Sequence, residues 1–181
     1  MPLTFQPASA ADVLLLRDLA ERIWHESYIE MIPPEQIRYM LDWMYAPHKL
    51  EAEIERGVHY EILRLSERPV GYLAWEWDPS QRSAAAFLNK LYLLPELQGQ
   101  GQGRQALQHV FQSVRELGAT ALELRVNRRN TRALRAYERA GFRLVEAQVT
   151  EIGAGFVMDD FILRRELGPE NRSGTNDSSS G

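Results

Sequence analysis

Residues 91–104 read Leu-Tyr-Leu-Leu-Pro-Glu-Leu-Gln-Gly-Gln-Gly-Gln-Gly-Arg: an apolar run, three alternating glycines, then the start of a helical pattern. Glycine lets a backbone approach a ligand closely. Successive N–H groups at a helix N-terminus form an anion site, strengthened by the helix dipole. The ligand class is therefore phosphate-bearing. Two familiar phosphate loops do not fit. A P-loop needs Lys-Ser/Thr after its last glycine, and Gly103 is followed by Arg104-Gln105. The dinucleotide fingerprint, counted from Gly99, needs glycine where Arg104 stands, and its strand belongs to a first βα unit rather than following a hairpin.

A second segment, Asn130 to Phe142, combines a good N-cap, Asn130, with Tyr137 seven residues on. Two helical turns separate them, so they share one side of a helix. Read alone, Tyr137 fits a core aromatic packed on Phe142. The surrounding stretch 123–143 carries Arg125, Arg128, Arg129, Arg132, Arg135, Arg139 and Arg143 against Glu123 and Glu138. Residues 1–80 are the reverse, with 14 Asp/Glu against 7 Lys/Arg. Such a pairing suits a site that grips a polyanion on one side and a cation on the other. The net charge of −4 argues against general nucleic-acid affinity. The chain has no cysteine, which removes thiol nucleophiles, disulfides and Cys-ligated metal sites; no metal site is expected.

The positioning elements follow from hydrophobic period. Thr4–Gln6 is a short extended start, and Ser9 with Asp12 forms a capping box. Val13, Leu16, Leu19, Ala20, Ile23 and Trp24 mark a helix to about Tyr28; Pro34 opens a second helix and Pro47–Glu55 a third. The period then becomes two: Val58–Leu65, Val70–Trp77 and Ala85–Leu94 read as strands. The third lacks clean alternation, which predicts burial on both faces. A helix runs from the glycine turn to Gly118, followed by strand Ala121–Val126 and a helix from Asn130 to Gly141. Strands Phe142–Val149 and Phe156–Leu163 follow, hinged at Gly153-Ala154-Gly155. This is a mixed α/β single domain over 1–167. Residues 168–181 are polar and glycine-rich and are expected to be disordered.

The two segments resemble those of the GNAT superfamily of acyl-CoA-dependent N-acetyltransferases. Gln98, Gly101 and Gly103 match its Gln/Arg-x-x-Gly-x-Gly/Ala pyrophosphate loop; Asn130, Ala133, Tyr137, Gly141 and Phe142 match its Asn-x-x-Ala-x-x-x-Tyr-x-x-x-Gly-Phe signature. The resemblance implies a central, mostly antiparallel sheet with a parallel splayed pair, flanked by helices. It implies acetyl-CoA as donor. Leu91, Tyr92 and Leu93 would pair with the pantetheine arm, and the loop Gln98, Gly99, Gln100, Gly101, Gln102, Gly103 and Arg104 would hold the pyrophosphate through its amides. Asn130 would bond the pantetheine chain, and Tyr137 would protonate the leaving thiolate. Arg128, Arg129 and Arg132 would meet the 3′-phosphate. Many relatives carry a glutamate base on the strand before the glycine loop or on the next strand; Asn89 and Arg125 stand there. Glu76, Glu26, Glu30, Asp159, Asp160, His25 and a water chain remain as candidates. Asp159 and Asp160, adjacent on a strand, point to opposite faces.

Residues 23–34 resemble the acceptor-side helices and loop of small-molecule members. Their aromatic and carboxylate content suits a cationic amine, with Glu26, Tyr28, Glu30 and Glu76 as substrate contacts and Trp75 with Trp77 as a further wall. The expected reaction is acetyl transfer to a primary amine of a small, polyamine-like molecule. Protein N-termini or lysines, or an inactive acyl-CoA sensor, are the alternatives. No apolar run reaches the ~18 residues of a membrane span, and no signal peptide is seen, so a cytoplasmic setting is expected, with no nucleic-acid or membrane partner and with homodimers as a possibility.

Overall fold

The computed structural model describes residues 2–80 and 84–168. In chain order it contains β1 (Thr4–Pro7), α1 (Val13–Ser27), α2 (Pro34–Met44), α3 (Pro47–Glu55), β2 (His59–Leu65), β3 (Arg68–Glu76), β4 (Ala85–Leu93), α4 (Gln102–Glu116), β5 (Ala121–Asn127), α5 (Thr131–Arg139), β6 (Arg143–Gly153) and β7 (Phe156–Glu166). The capping box forms as expected: Asp12 accepts from the Ser9 amide at 2.9 Å and the Ala11 amide donates to Ser9 Oγ at 3.3 Å, fixing a 3-10 turn ahead of α1. The apolar stripe of α1 is wholly buried. Beyond Leu167, the expected tail falls outside the described residues except for Gly168. Among the described residues no helix is long and apolar enough to cross a membrane.

The strands form one sheet in the order β1-β2-β3-β4-β5-β7-β6. Every pairing is antiparallel except β4 with β5. One face carries Tyr60, Ile62, Tyr72 and Tyr92 and is covered by the helices before the hairpin: Trp24 Nε1 donates to the Tyr72 hydroxyl at 3.3 Å, and Tyr45 and Tyr72 share a hydrogen bond at 2.7 Å. The other face is covered by α4. There Trp75 Nε1 donates to Glu61 at 3.3 Å, and Glu61 meets His109 of α4 at 2.6 Å.

The parallel pair is short. Ala85–Leu88 pair with Ala121–Leu124 and pairing stops there. On the other side of β4, Ala74 lies opposite Lys90 and Trp75 opposite Leu88, so Asn89 is an extra, bulged residue. A bulge bends its strand and increases local twist, and β4 leaves β5 at this point. The bulge also explains the imperfect alternation that suggested burial on both faces. Leu88 faces the same side as Trp75, and Leu91 the same side as Leu73; the bulge carries the apolar parity from even to odd residues. Lys90 turns to the opposite face, where it is buried 3.5 Å from Glu53 and lies over the Tyr60 ring. Burial lowers its pKa, with Glu53 opposing.

The last two strands are longer than their pattern indicated, because they pair as one hairpin of eleven residues each way. Gly153, Ala154 and Gly155 all have positive φ and form its turn.

Candidate active site

Where β4 and β5 part, the gap opens into a cleft of about 860 Å³. One wall is the free side of β4. The Leu94 amide donates to Val70 of β3 at 2.9 Å. Because strand residues alternate in direction, Tyr92 also turns its backbone to β3, whereas Leu91 and Leu93 turn theirs into the gap. Leu91 and Leu93 thus offer unpaired N–H and C=O groups, while Tyr92 offers its side chain. All three line the cleft.

The glycine segment continues this wall. The amides of Gln98 and Gln100 are engaged by Pro95 and Leu97 carbonyls, at 3.1 and 3.4 Å. None of the described hydrogen bonds uses the amides of Gly99, Gly101, Gln102, Gly103 or Arg104. Gly101 has φ +92° and caps α4, so the first-turn amides of that helix are left without intrahelical acceptors. The arrangement is a nest of donors at the positive end of a 15-residue helix. Gln98, Gly99, Gly101, Gly103 and Arg104 line the cleft; the Gln100 side chain instead donates to the Glu96 carbonyl at 2.7 Å, and Gln102 is buried. Of the three arginines assigned to a terminal phosphate, only Arg132 lines the cleft, hydrogen-bonded to Gln98. Arg128 pairs with Asp159 at 2.9 Å. Arg129 donates to the Met31 and Glu30 carbonyls at 2.6 and 3.2 Å, tying the segment after α1 to the start of α5.

Asn130 caps α5: its Oδ1 accepts from the Ala133 amide at 3.1 Å, and none of the described hydrogen bonds uses its Nδ2. It lines the cleft, as does Tyr137. Tyr137 packs edge-on against Phe142, with centroids 5.5 Å apart, so the packing role and the cleft position coincide. No described hydrogen bond engages its hydroxyl. Burial pushes its pKa up, with the nearby Tyr28 adding to the effect. Tyr28 and Tyr92 share a hydrogen bond at 3.2 Å and line the cleft from the α1 side. Both phenols are also raised by burial. Three neutral phenols therefore surround the point where the strands part.

Glu26 lines the cleft; Glu30 and Glu76 do not. Glu30 is exposed on the loop after α1, and Glu76 lies on β3, where it accepts from Asn89 at 3.2 Å. His25 is exposed and outside the lining. Trp75 stacks on His59 and bonds Glu61 on the α4 face, and Trp77 abuts Gly118, so neither forms an acceptor wall. The Gly153–Gly155 turn packs by Tyr39 of α2, away from the lining residues. The opposed directions of the two aspartates hold: Asp159 faces Arg128, and Asp160 is buried on the other face. Ser27 and Met31, within the stretch 23–34 read as the acceptor side, line the cleft; sequence reasoning missed Arg139 and Arg165 as lining residues, because they reach it from α5 and β7 only through tertiary packing. A second cavity of about 490 Å³ lies near the β1–β2 edge, by His59, Glu61 and His109.

The model of the acetyltransferase (GNAT) family matches residues 17–142. An uncharacterized N-acetyltransferase of Mycobacterium tuberculosis is 35% identical over 80 residues, 44% of this chain and 51% of that protein. The matched stretch thus spans about half the length of that relative. Among solved structures, the PaiA N-acetyltransferase of Thermoplasma acidophilum in complex with coenzyme A superposes with a TM-score of 0.76 at 22% identity, covering 92% of this chain and 99% of that one. A spermidine N-acetyltransferase chimera involving Vibrio cholerae superposes with a TM-score of 0.68 at 17% identity, covering 92% and 96%.

Proposed function

Because the chain belongs to the acetyltransferase (GNAT) family, we propose that it moves an acetyl group from acetyl-CoA to a primary amine of a small cationic molecule. The observation that carries this reading is two sets of unengaged backbone groups along one wall of the cleft, Leu91 and Leu93 in the strand gap and Gly99 with Gly101–Arg104 at the start of α4. The first part suits an extended chain of amides added alongside β4. The second suits a diphosphate. The free Nδ2 of Asn130 suits a carbonyl of the pantetheine arm, and Arg132 suits a phosphate at the cleft mouth.

In this reading the amine attacks the thioester carbonyl carbon, the C–S bond breaks, and the acetyl group stays on nitrogen. Tyr137 gives its proton to the departing sulfur and recovers one as the amine loses its own. A phenol held neutral by burial is an acid rather than a base at neutral pH. The same dry wall that disfavours phenolate also disfavours a free thiolate, which keeps the two basicities comparable. Asn89 and Arg125 leave no carboxylate on β4 or β5 facing the gap, so Glu26 is the cleft-lining carboxylate available to an arriving ammonium. An aromatic and acidic acceptor side (Glu26, Tyr28, Tyr92) favours a cation over a neutral amine.

The test is release of free CoA thiol from acetyl-CoA in the presence of a panel of amines. Turnover with small polycationic amines supports the reading. Tight acetyl-CoA binding with no turnover on any amine or peptide would favour a sensor instead.

A further inference from the structure

The bulge in β4 places a polar side chain where the strands part. Asn89, the extra residue, comes directly after Leu88, whose pairing with Leu124 is the last of the parallel ladder. A bulge re-aims the side chain it carries. Asn89 turns to the α1 face: its Nδ2 donates to Glu76 of β3 at 3.2 Å. Glu76 shares the parity of Tyr72, which holds Trp24 of α1. An ionised carboxylate only accepts hydrogen bonds, so Glu76 fixes which end of the Asn89 amide faces it. The other end, Oδ1, is buried and has no hydrogen-bond partner among the described residues. Asn89 lines the cleft and Glu76 does not. Nδ2 is thus spent outside the cleft, which leaves Oδ1 as the polar atom this side chain offers a ligand. Ser27 is the other cleft-lining residue whose buried side-chain oxygen lacks a partner among the described residues. Its hydroxyl rotates and both donates and accepts, whereas the Asn89 oxygen accepts only and is held in one orientation. A carbonyl oxygen removed from water and left without a donor is unfavourable, and an N–H brought by a ligand would remove that cost.

We propose that Asn89 Oδ1 accepts an N–H of the attacking amine, and that Glu76 is the positioning residue that keeps this oxygen turned to the substrate. This deepens, and rests on, the reading of the protein as an amine acetyltransferase. Tyr137 comes to the cleft from the other side of the sheet, since it packs on Phe142, which packs on Phe111 of α4. A thioester in the strand gap would lie between an amine held on the α1 face and a phenol on the α4 face. Nucleophile and acid would then meet it from opposite sides. With one N–H bonded to Oδ1, the lone pair of the amine stays free for the thioester carbon. A carboxamide oxygen takes up no proton at neutral pH, so Asn89 orients the amine and is not its base.

The experiment compares the wild type with Asn89→Leu, Glu76→Leu and Glu76→Gln, using the amine of the panel with the highest wild-type kcat/KM. Asn89→Leu keeps a side chain of similar size and removes the acceptor. Its kcat/KM for the amine should fall at least tenfold while acetyl-CoA affinity, measured by calorimetry, stays within twofold. A fall of less than threefold, or an equal loss of acetyl-CoA affinity, overturns the proposal. Glu76→Leu should lower kcat at least fivefold. Glu76→Gln, whose side-chain oxygen still accepts from Asn89 Nδ2, should restore kcat to within twofold of wild type; equal losses in the two variants overturn the positioning role. The second readout needs no variant. In the isotope-labelled wild type with CoA bound, the side-chain amide signal of Asn89 should shift saturably as the same amine is added, and an unmoved signal overturns the contact. If the wild type acetylates no amine, the enzymatic reading fails, and this titration, made with 1,4-diaminobutane, alone decides whether Asn89 meets an amine.

Discussion

At the scale of single residues, the phenol of Tyr137 is the proposed general acid and also packs against Phe142. Tyr137→Phe keeps the edge contact with Phe142 and removes only the proton. Turnover is expected to fall by about 10²-fold or more, in the range of lost general acids, while acetyl-CoA affinity measured by calorimetry changes little. Equal turnover would remove the acid role. Asp160 makes a second prediction, of opposite sign to that of a paired carboxylate. Its pKa is raised in the folded state, first by burial, so between the ordinary carboxylate range and its raised value the folded state binds more protons than the unfolded. Stability therefore falls as pH rises through that window and recovers as pH drops. Above that window, Asp160→Asn should be more stable than wild type, by an amount that grows as pH rises through it, because the substitution removes a charge that burial disfavours. Urea melts at two pH values check both the sign and the size.

Among the secondary elements, the glycine turn and the bulged strand make the site. A Cβ at Gly101 would meet no atom within 4 Å, but its φ of +92° disfavours any side chain. Gly101→Val should thus cost about 1–2 kcal/mol of stability from backbone strain, and its larger effect should be on acetyl-CoA affinity, because the added groups stand where the diphosphate must approach. Unchanged affinity in a folded variant would refute the loop assignment. The glycine turn, the Asn130 cap and the helices on either side were legible in the sequence because each depends on local chemistry: a positive φ, an N-cap, a 3.6-residue stripe. The bulge at Asn89 was visible only as an imperfect alternation, since Leu88 and Leu91 share a face despite opposite parity. What Glu30, Glu76 and the tryptophans face was not legible. Which side of a sheet an isolated carboxylate or indole takes depends on register and on the helices laid over it, as Asn89 captures Glu76 and His59 stacks on Trp75.

For the molecule as a whole, the sheet runs from β1 to β6 among the described residues, and the candidate site lies where its parallel pair, β4 with β5, parts. The last described anchor is Leu167, which is buried and whose amide donates to Thr120 at 2.8 Å. We propose that the domain closes there; removing residues 169–181 should leave the melting temperature within about 2 °C, since a 1 kcal/mol loss in a domain of this size moves it by roughly that much or more. The charge asymmetry seen along the chain becomes spatial: Arg132 and Arg104 stand at the glycine end of the cleft and Glu26 at the acceptor end. In the function proposed above, that layout would order the two substrates by charge within one cleft.

The account turns on where acetyl-CoA lies, and amide NMR on the isotope-labelled full chain reports this directly. On titration with acetyl-CoA, the largest shifts should fall on the amides of Leu91, Leu93, Gly99 and Gly101–Arg104, with the cavity by His59 and His109 unmoved. Saturable binding that leaves those amides in place, and moves the His59 and His109 region or none at all, would contradict it.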